Sequence, residues 1–223
     1  MDAPSEELLL QWQREQFLLR ERVKEEDTEE WQRHPDFCGL KRVGGVDLSF
    51  IKGDDIHACA HLVVLSYPHM QLLHEDFKMV TLKAPYVAGF LGFREAPPLL
   101  QTLEKLKNEL PDLMPQVLFV DGNGLFHSRE CGLACHLGVQ ADLPCVGVAK
   151  NLLHLDGVVK SDEHQSQSSS KPVYVSVGHR ISLATAVSLT HRCCLYRVPE
   201  PIRQADLRSR EYLRSHILAP DVS

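Results

Sequence analysis

QVLFVDGNG, residues 116–124, is the stretch that decides the fold, because an apolar run ends there in an aspartate and a tight loop. Such a run is typical of a buried strand, here 116–120, followed by a turn. Beyond it the hydrophobic period switches repeatedly between strand and helix. Strands are predicted at 145–149 and 172–177, and helices at 131–140, 181–191 and 202–217.

The chain before this stretch has a different pattern. Three strand candidates, 43–51, 57–67 and 72–82, are separated by short turn segments, which predicts antiparallel hairpins. An amphipathic helix is predicted at 6–30, and another from Pro97 to the residue before Pro111. Antiparallel strands followed by strand–helix alternation predict an α/β fold with a mixed central sheet flanked by helices on both faces.

Composition places these elements in one domain. The chain has 223 residues, of which 43% are hydrophobic and 24% charged, and its net charge is −6. We therefore interpret 1–223 as a single domain, with 1–30 as an N-terminal helix and the Ser-rich stretch 156–170 as a polar connector. No run has the roughly 18 apolar residues of a membrane span, so no membrane partner is expected. Seven cysteines without a CxxC pair favour a reducing, intracellular compartment over a disulfide framework.

The C-terminal quarter of the chain is rich in arginine. Two interpretations stay open: a patch that binds a polyanion, or the solvated face of a helix. The residues concerned are Arg180, Arg192, Arg197, Arg203, Arg208, Arg210 and Arg214.

Acidic residues at strand positions are the strongest chemical signal. Asp47 lies inside the apolar run 43–50, and Asp121 ends the strand at 116–120. A buried carboxylate needs a cation or a hydrogen-bond donor, so each acid either serves a site or caps a turn. Glu95, before the helix predicted at Pro97, adds a third carboxylate, and three such groups suit Mg²⁺ or Mn²⁺. Lys150 follows the strand 145–149 and is either part of the same site or a surface lysine.

Five segments of the chain together resemble the endonuclease V family, and specifically its vertebrate branch. They occur in the family's order and spacing, and the likeness extends from about Trp31 to Arg208. The segments are VGGVDLSF (43–50), APYVAGFLGFRE (84–95), VDGNGLFHSRECGLACHLGV (120–139), LPCVGVAK (143–150) and VSVGHRISL (175–183).

The resemblance implies a ribonuclease H-like fold whose first and fourth strands lie side by side, and a catalytic site assembled on them. Asp47, Glu95 and Asp121 match the metal-binding carboxylates, for which Mg²⁺ is expected and Mn²⁺ can substitute. Lys150 matches the lysine near the scissile phosphate, and His179 matches a histidine near the same metals.

Further positions match the family's substrate-binding residues. Pro85, Tyr86 and Val87 match a wedge that fills the space left by a displaced base. Backbone groups at four positions match a hypoxanthine pocket, and His127 matches a histidine that positions the strand. The four positions are Gly89, Leu91, Gly122 and Gly147.

The implied activity is metal-dependent hydrolysis of a phosphodiester bond one nucleotide beyond the 3′ side of inosine in single-stranded RNA, and of deoxyinosine in DNA. The implied protein is a monomer of the cytoplasm and nucleus, the nucleolus included. Two other hypotheses stay open: a binder of inosine-containing nucleic acid with impaired cleavage, and a ribonuclease H-like nuclease of other specificity.

The sequence departs from the family pattern at three places. Ala88 stands where many bacterial members have proline, and Ala184 stands where an acid usually follows the SVGHR segment. The segment between Lys150 and SVGHR is also shorter than in the family, where it holds an additional strand. From this shortening we expect lower stability and weaker cleavage, with an edge left unpaired beside the missing strand.

Overall fold

A computed structural model describes residues 4–150 and 171–217. The polar connector predicted at 156–170 lies outside the described residues. Within them, six strands form one mixed sheet in the order β3-β2-β1-β4-β5-β6. The strands are β1 (Arg42–Phe50), β2 (His57–Ser66), β3 (Leu72–Thr81), β4 (Val117–Asp121), β5 (Cys145–Ala149) and β6 (Tyr174–His179).

Five α-helices accompany the described strands. They are α1 (Glu6–Glu21), α2 (Leu91–Glu109), α3 (Leu133–Ala141), α4 (Leu183–Arg192) and α5 (Glu200–Ile217). None of them is long and apolar enough to span a membrane.

Pairing in the sheet follows the predicted pattern. β1, β2 and β3 are antiparallel hairpins, whereas β1–β4 and β4–β5 are parallel pairs, so the first and fourth strands are neighbours. β6 pairs with β5 in the antiparallel direction. β5 is therefore paired on both edges, by β4 and β6, whereas β6 is paired only by β5 among the described strands.

Two hydrophobic cores lie on opposite faces of the sheet, as helices on both faces require. On one face α2 and α3 pack against β1, β2 and β4 through residues such as Leu99, Leu103 and Leu137. On the other face α4 and α5 cover Val43, Phe119 and their neighbours. Burial of these aliphatic side chains is the main term that stabilises the fold.

Two predicted helix boundaries are wrong. α1 ends at Glu21 rather than at residue 30, because the chain that follows forms a loop that bonds to β6 and to the start of α4. The backbone amide of Lys24 donates to His179, and Asp27 accepts from the amide of Ser182. α2 begins at Leu91 rather than at Pro97. Pro97 and Pro98 lie inside this helix, where the apolar face that it buries outweighs the backbone hydrogen bonds that two prolines remove.

Candidate active site

Asp47 and Asp121 lie side by side at one end of the sheet. Val46 of β1 is the register partner of Val120 of β4, and each aspartate directly follows one of these valines. Because β1 and β4 are parallel, both carboxylates lie toward the carboxyl ends of these strands, at the end of the sheet where α/β folds place their functional groups. The convergence predicted from the sequence is confirmed for this pair.

Glu95 reaches the same region from the fifth residue of α2. Burial, together with the negative charges of Asp47 and Asp121, raises the pKa of its carboxyl to about 7, against the opposing effect of Arg94. The three carboxylates thus interact electrostatically although they come from three separate elements.

Lys150 joins this group through a short ion pair. Its Nζ lies 2.6 Å from Oδ2 of Asp121, and its side chain is about one-third exposed, at 34%. Asp121 is the register partner of Val148, two residues before Lys150, which explains why the lysine arrives at this carboxylate. The site interpretation of Lys150 is therefore favoured over that of an unattached surface lysine.

Two serines outside the set of residues predicted from the sequence orient Asp47. The hydroxyl of Ser49 donates to Oδ2 of Asp47 at 2.7 Å, and the hydroxyl of Ser209 donates to the same oxygen at 2.8 Å. Both serines are buried. Ser209 lies on α5, three residues after the half-buried Asp206, so this helix brings a further carboxylate to the β1 side of the site. Only the packing of α5 against β1 reveals this, since the two segments are far apart in sequence.

The structure does not bring His179 to the acids. His179 is the register partner of Cys145, at the start of β5, whereas Lys150 follows the other end of that strand. About four residues, or ~13 Å, separate the two ends. His179 is buried, and its Nδ1 accepts from the amide of Lys24 at 3.2 Å. Its predicted place near the metals is wrong because β6 runs antiparallel to β5.

The loop predicted to act as a wedge is exposed beside the acids. Pro85 and Val87 are half-buried, whereas the side chain of Tyr86 is 69% exposed. Tyr86 and Glu95 line one cavity of about 660 Å³, whose other wall is the β1–β2 turn, residues 50–55. A solvent-exposed aromatic ring and a candidate metal ligand therefore share one open space.

The four predicted pocket positions fall into two groups. Gly89 and Leu91 flank the start of α2, where the carbonyl of Gly89 accepts from Gln16 and Arg129. Gly122 and Gly147 lie in the sheet region, and a Cβ on Gly147 would come within 2.8 Å of the Gly122 carbonyl oxygen. Gly147 is buried, and its lack of a side chain lets the loop after Asp121 pack closely on β5.

His127 lies in this same loop rather than among the carboxylates. It is buried, and its Nδ1 accepts from the amide of Arg129 at 3.1 Å. Burial and the positive charge of Arg129 both lower its pKa. In this structure His127 shapes the loop that follows Asp121.

The sequence matches a known protein family over most of its length. The model that describes endonuclease V matches the chain over residues 18–170 and again over 157–207. The chain belongs to the endonuclease V family. Curated endonuclease V proteins are similar over most of their length: that of Mus musculus is 52% identical over 96% of this chain and 72% of its own, and that of Homo sapiens is 50% identical over 98% and 88%. The chain is thus a nuclease.

Solved endonuclease V structures have the same fold, which is ribonuclease H-like. The catalytic domain of human endonuclease V, carrying four cysteine substitutions, superposes with a TM-score of 0.93 at 48% identity, over 97% of this chain and 100% of the other. Endonuclease V of Ciona intestinalis, in complex with a 24-mer DNA containing an inosine followed by a ribo-adenosine, has a TM-score of 0.86 at 34% identity, over 95% and 99%.

The C-terminal arginines of this endonuclease V chain are largely neutralised by acids. Among the described residues, five of them form ion pairs, which favours the solvated-face interpretation over an open polyanion patch. The pairs are Arg180–Glu29, Arg192–Asp36, Arg203–Glu200, Arg208–Glu75 and Arg210–Asp206.

Proposed function

We propose that this protein is a metal-dependent endonuclease that hydrolyses a phosphodiester bond one nucleotide beyond the 3′ side of inosine in RNA, and of deoxyinosine in DNA. One observation carries the proposal: Asp47, Asp121, Glu95 and Lys150 lie together at one end of the sheet, beside the exposed loop that carries Tyr86. A chain with this site and the endonuclease V motifs is suited to cutting nucleic acid next to a displaced base.

The carboxylates suit a divalent cation. The raised pKa of Glu95, about 7, reflects burial next to two other negative charges, a cost that a cation would remove. Among the described residues, no three donor side chains converge on one point in a coordination geometry. Asp47, Glu95 and Asp121 are nevertheless the oxygen donors that would hold Mg²⁺, with Mn²⁺ as a substitute. When bound, such an ion activates water and stabilises the leaving oxygen.

The protein's own groups would position the phosphate and the acids. The Nζ of Lys150, bonded to Asp121, is exposed enough to contact a phosphate oxygen as well. The Ser49 and Ser209 hydroxyls hold Oδ2 of Asp47, which leaves the direction of its other oxygen fixed. A preorganised acid costs less to reorganise during the reaction.

Inosine recognition would fall to the loop that carries Tyr86. Extruding a base costs a few kcal/mol, and an aromatic ring inserted in its place restores part of the lost stacking. The cavity of about 660 Å³ between Tyr86 and Glu95 would accommodate the nucleotide that joins the displaced base to the cleaved bond. The Ciona relative, solved with inosine-containing DNA, supports a substrate of this class.

The remaining features of the proposal are the substrate strand and the cellular setting. We propose single-stranded inosine-containing RNA as the main partner, bound by a monomer in the cytoplasm and nucleus, the nucleolus included. A preference for RNA requires a contact with a 2′-hydroxyl. With a net charge of −6, binding must rest on local bases such as Lys150 and should weaken steeply with salt.

The test uses matched 5′-labelled oligonucleotides that differ only at one position. RNA and DNA strands with inosine or adenosine there are incubated with this protein in Mg²⁺, Mn²⁺ or EDTA, and product lengths are read on a sequencing gel. We expect one product, cut one nucleotide beyond the 3′ side of inosine, faster in RNA and absent in EDTA. Equal cutting of the adenosine strand would reject inosine specificity, and tight binding without cutting would identify an inosine-binding protein instead.

A further inference from the structure

A buried amide on α1 connects the two loops that flank the candidate site. The Gln16 side chain is only 4% exposed. Its Nε2 donates to the carbonyl of Gly89 at 3.1 Å and to that of Cys131 at 2.7 Å, and its Oε1 accepts from Nε of Arg129 at 2.7 Å. Both N–H groups and the oxygen of the amide are thus used, each toward a segment far away in sequence.

Arg129 completes this connection. Its Nη2 also donates to the Gly89 carbonyl, at 3.2 Å, and its guanidinium carbon lies 4.1 Å from the centre of the Phe90 ring. Gly89 has a φ of +81°, and a Cβ there would lie 2.7 Å from Nη2 of Arg129. The close approach of Arg129 therefore requires glycine at this position.

These contacts join three segments that carry residues of the candidate site. Gly89 lies three residues after Tyr86, Phe90 directly precedes α2, which carries Glu95, and Arg129 belongs to the loop that follows Asp121. We infer that Gln16 and Arg129 form a positioning unit, the Gln16 clamp, that fixes the Tyr86 loop relative to the acids. This inference rests on the proposed function and adds to it, because it makes α1 a determinant of inosine discrimination.

Attachment of α1 to the protein does not depend on the clamp. Trp12 stacks on Phe93 with ring centres 5.1 Å apart and planes at 9°, and Leu19 is buried against Cys131 and Cys135. These apolar contacts hold the helix. A buried amide costs free energy unless all of its groups are satisfied, so three well-formed hydrogen bonds at this place specify geometry more than they add stability.

Gln16→Met tests the clamp with little change in side-chain length. Gln11→Met is the matched control, since Gln11 is an exposed glutamine of the same helix that bonds only Glu15 among the described contacts. The first measurement is kcat/KM for the inosine and adenosine RNA strands. We expect Gln16→Met to lower the inosine-to-adenosine ratio at least tenfold, mainly through KM, and Gln11→Met to leave it unchanged.

The second measurement is hydrogen exchange of the free protein, which needs no substrate. The amide of Phe90 donates to the Val87 carbonyl at 3.0 Å, so its protection reports closure of the Tyr86 loop. We expect at least tenfold faster exchange there in Gln16→Met but not in Gln11→Met.

Each outcome decides the matter. Unchanged Phe90 exchange in Gln16→Met overturns the clamp, whatever the activity. Faster exchange with equal loss on both RNA strands, together with a lower melting temperature, overturns it as a determinant of discrimination and leaves a structural role. If the parent protein itself does not prefer inosine, the proposed function fails, and the exchange result alone then supports or rejects positioning of the loop.

Discussion

The carboxylate of Asp47 has two hydroxyl donors on one oxygen, and this geometry makes Asp47→Asn a specific test. Asparagine keeps the volume and can still accept from Ser49 and Ser209, so the fold should survive. It lacks the negative charge that a divalent cation needs. We expect cleavage of inosine RNA to fall by about 100-fold or more, the scale for removing one electrostatic contact at a reacting centre. Cleavage near the parent rate in Mg²⁺ would rule out a carboxylate site at this position.

Replacing Glu95 should make the metal-free protein more stable. Burial and two neighbouring acids raise the pKa of its carboxyl to about 7, above its unfolded value, so the ionised form destabilises the metal-free protein once the pH exceeds that unfolded value. Glu95→Gln removes this penalty. At pH 8 in EDTA we expect the variant to gain up to about 3 kcal/mol in the free energy of unfolding, with cleavage lost. A urea titration measures the gain, and an unchanged or lower midpoint would contradict the proposed repulsion.

His179 should behave as a structural residue. Burial lowers the pKa of its imidazole, and the neutral ring accepts from the amide of Lys24. His179→Ala leaves that amide without its acceptor, which costs about 1–3 kcal/mol of unfolding free energy. Once rates are normalised to the folded fraction, cleavage should match the parent. A normalised loss comparable to that of Asp47→Asn would return His179 to the reaction.

Residue patterns in the sequence predicted that Asp47, Asp121 and Lys150 lie close together, and they do, because parallel neighbouring strands end at the same end of the sheet. They could not place His179, since its location depends on the direction of β6, which the motif does not encode. Ser209 was missed for a similar reason: it contacts Asp47 only because α5 packs against β1, across 162 residues of sequence.

At the scale of elements, α2 explains how the wedge loop and the acids are coupled. Proline is favoured in the first turn of helices, so the sequence predicted a start at Pro97. The actual start at Leu91 places Glu95 inside the helix, five residues after Phe90. The loop that carries Tyr86 therefore leads directly into the element that carries Glu95, a proposed metal ligand. Local propensity missed this because the deciding term is burial of Ala96, Leu99 and Leu103 against the sheet.

Tyr86→Ala tests the loop itself. The ring is 69% exposed, so its removal should hardly affect stability. Losing a base–aromatic stack costs about 1–3 kcal/mol. We expect the dissociation constant for the inosine strand, measured by fluorescence anisotropy, to rise by about 10- to 100-fold, and that for the adenosine strand to change much less. Tyr196→Ala is the matched control, because this tyrosine is also exposed, at 58%, but does not line the cavity with Glu95. Equal affinities of the Tyr86 variant and the parent would remove Tyr86 from the site.

At the scale of the whole molecule, the chain is shorter than its relatives in alignment. Alignments with the mouse and human endonuclease V proteins span 242 and 247 positions, although this chain has 223 residues, so both contain positions that it lacks. The family model also matches in two overlapping parts that meet at residues 157–170. Both observations support, without testing, the prediction that the segment between Lys150 and SVGHR is shortened.

The register of β5 and β6 determines what this shortening should cost. Ala149 pairs with Tyr174 in the antiparallel direction, so the connector only has to return to a neighbouring strand. Antiparallel neighbours can be joined by very short loops, and each doubling of a loop costs only about 0.6 kcal/mol. The loop itself therefore adds little cost, and the lower stability expected from the sequence rests on the outer edge of β6, which no other described strand pairs. An effect on cleavage has a basis too, because the shortened segment follows Lys150, which bonds Asp121.

Restoring a family-length segment between Asp156 and Lys171 separates the two effects. We expect the melting temperature to rise, by about 2–4 °C for each kcal/mol that the added segment contributes in a domain of this size. We expect cleavage of inosine RNA to increase, since the added chain would extend the segment that follows Lys150, the residue proposed to contact the phosphate. A Gly/Ser insertion of equal length is the control for loop length alone. If that insertion raises cleavage equally, the segment acts only as a spacer, and if neither insertion changes cleavage, the short connector does not limit this enzyme.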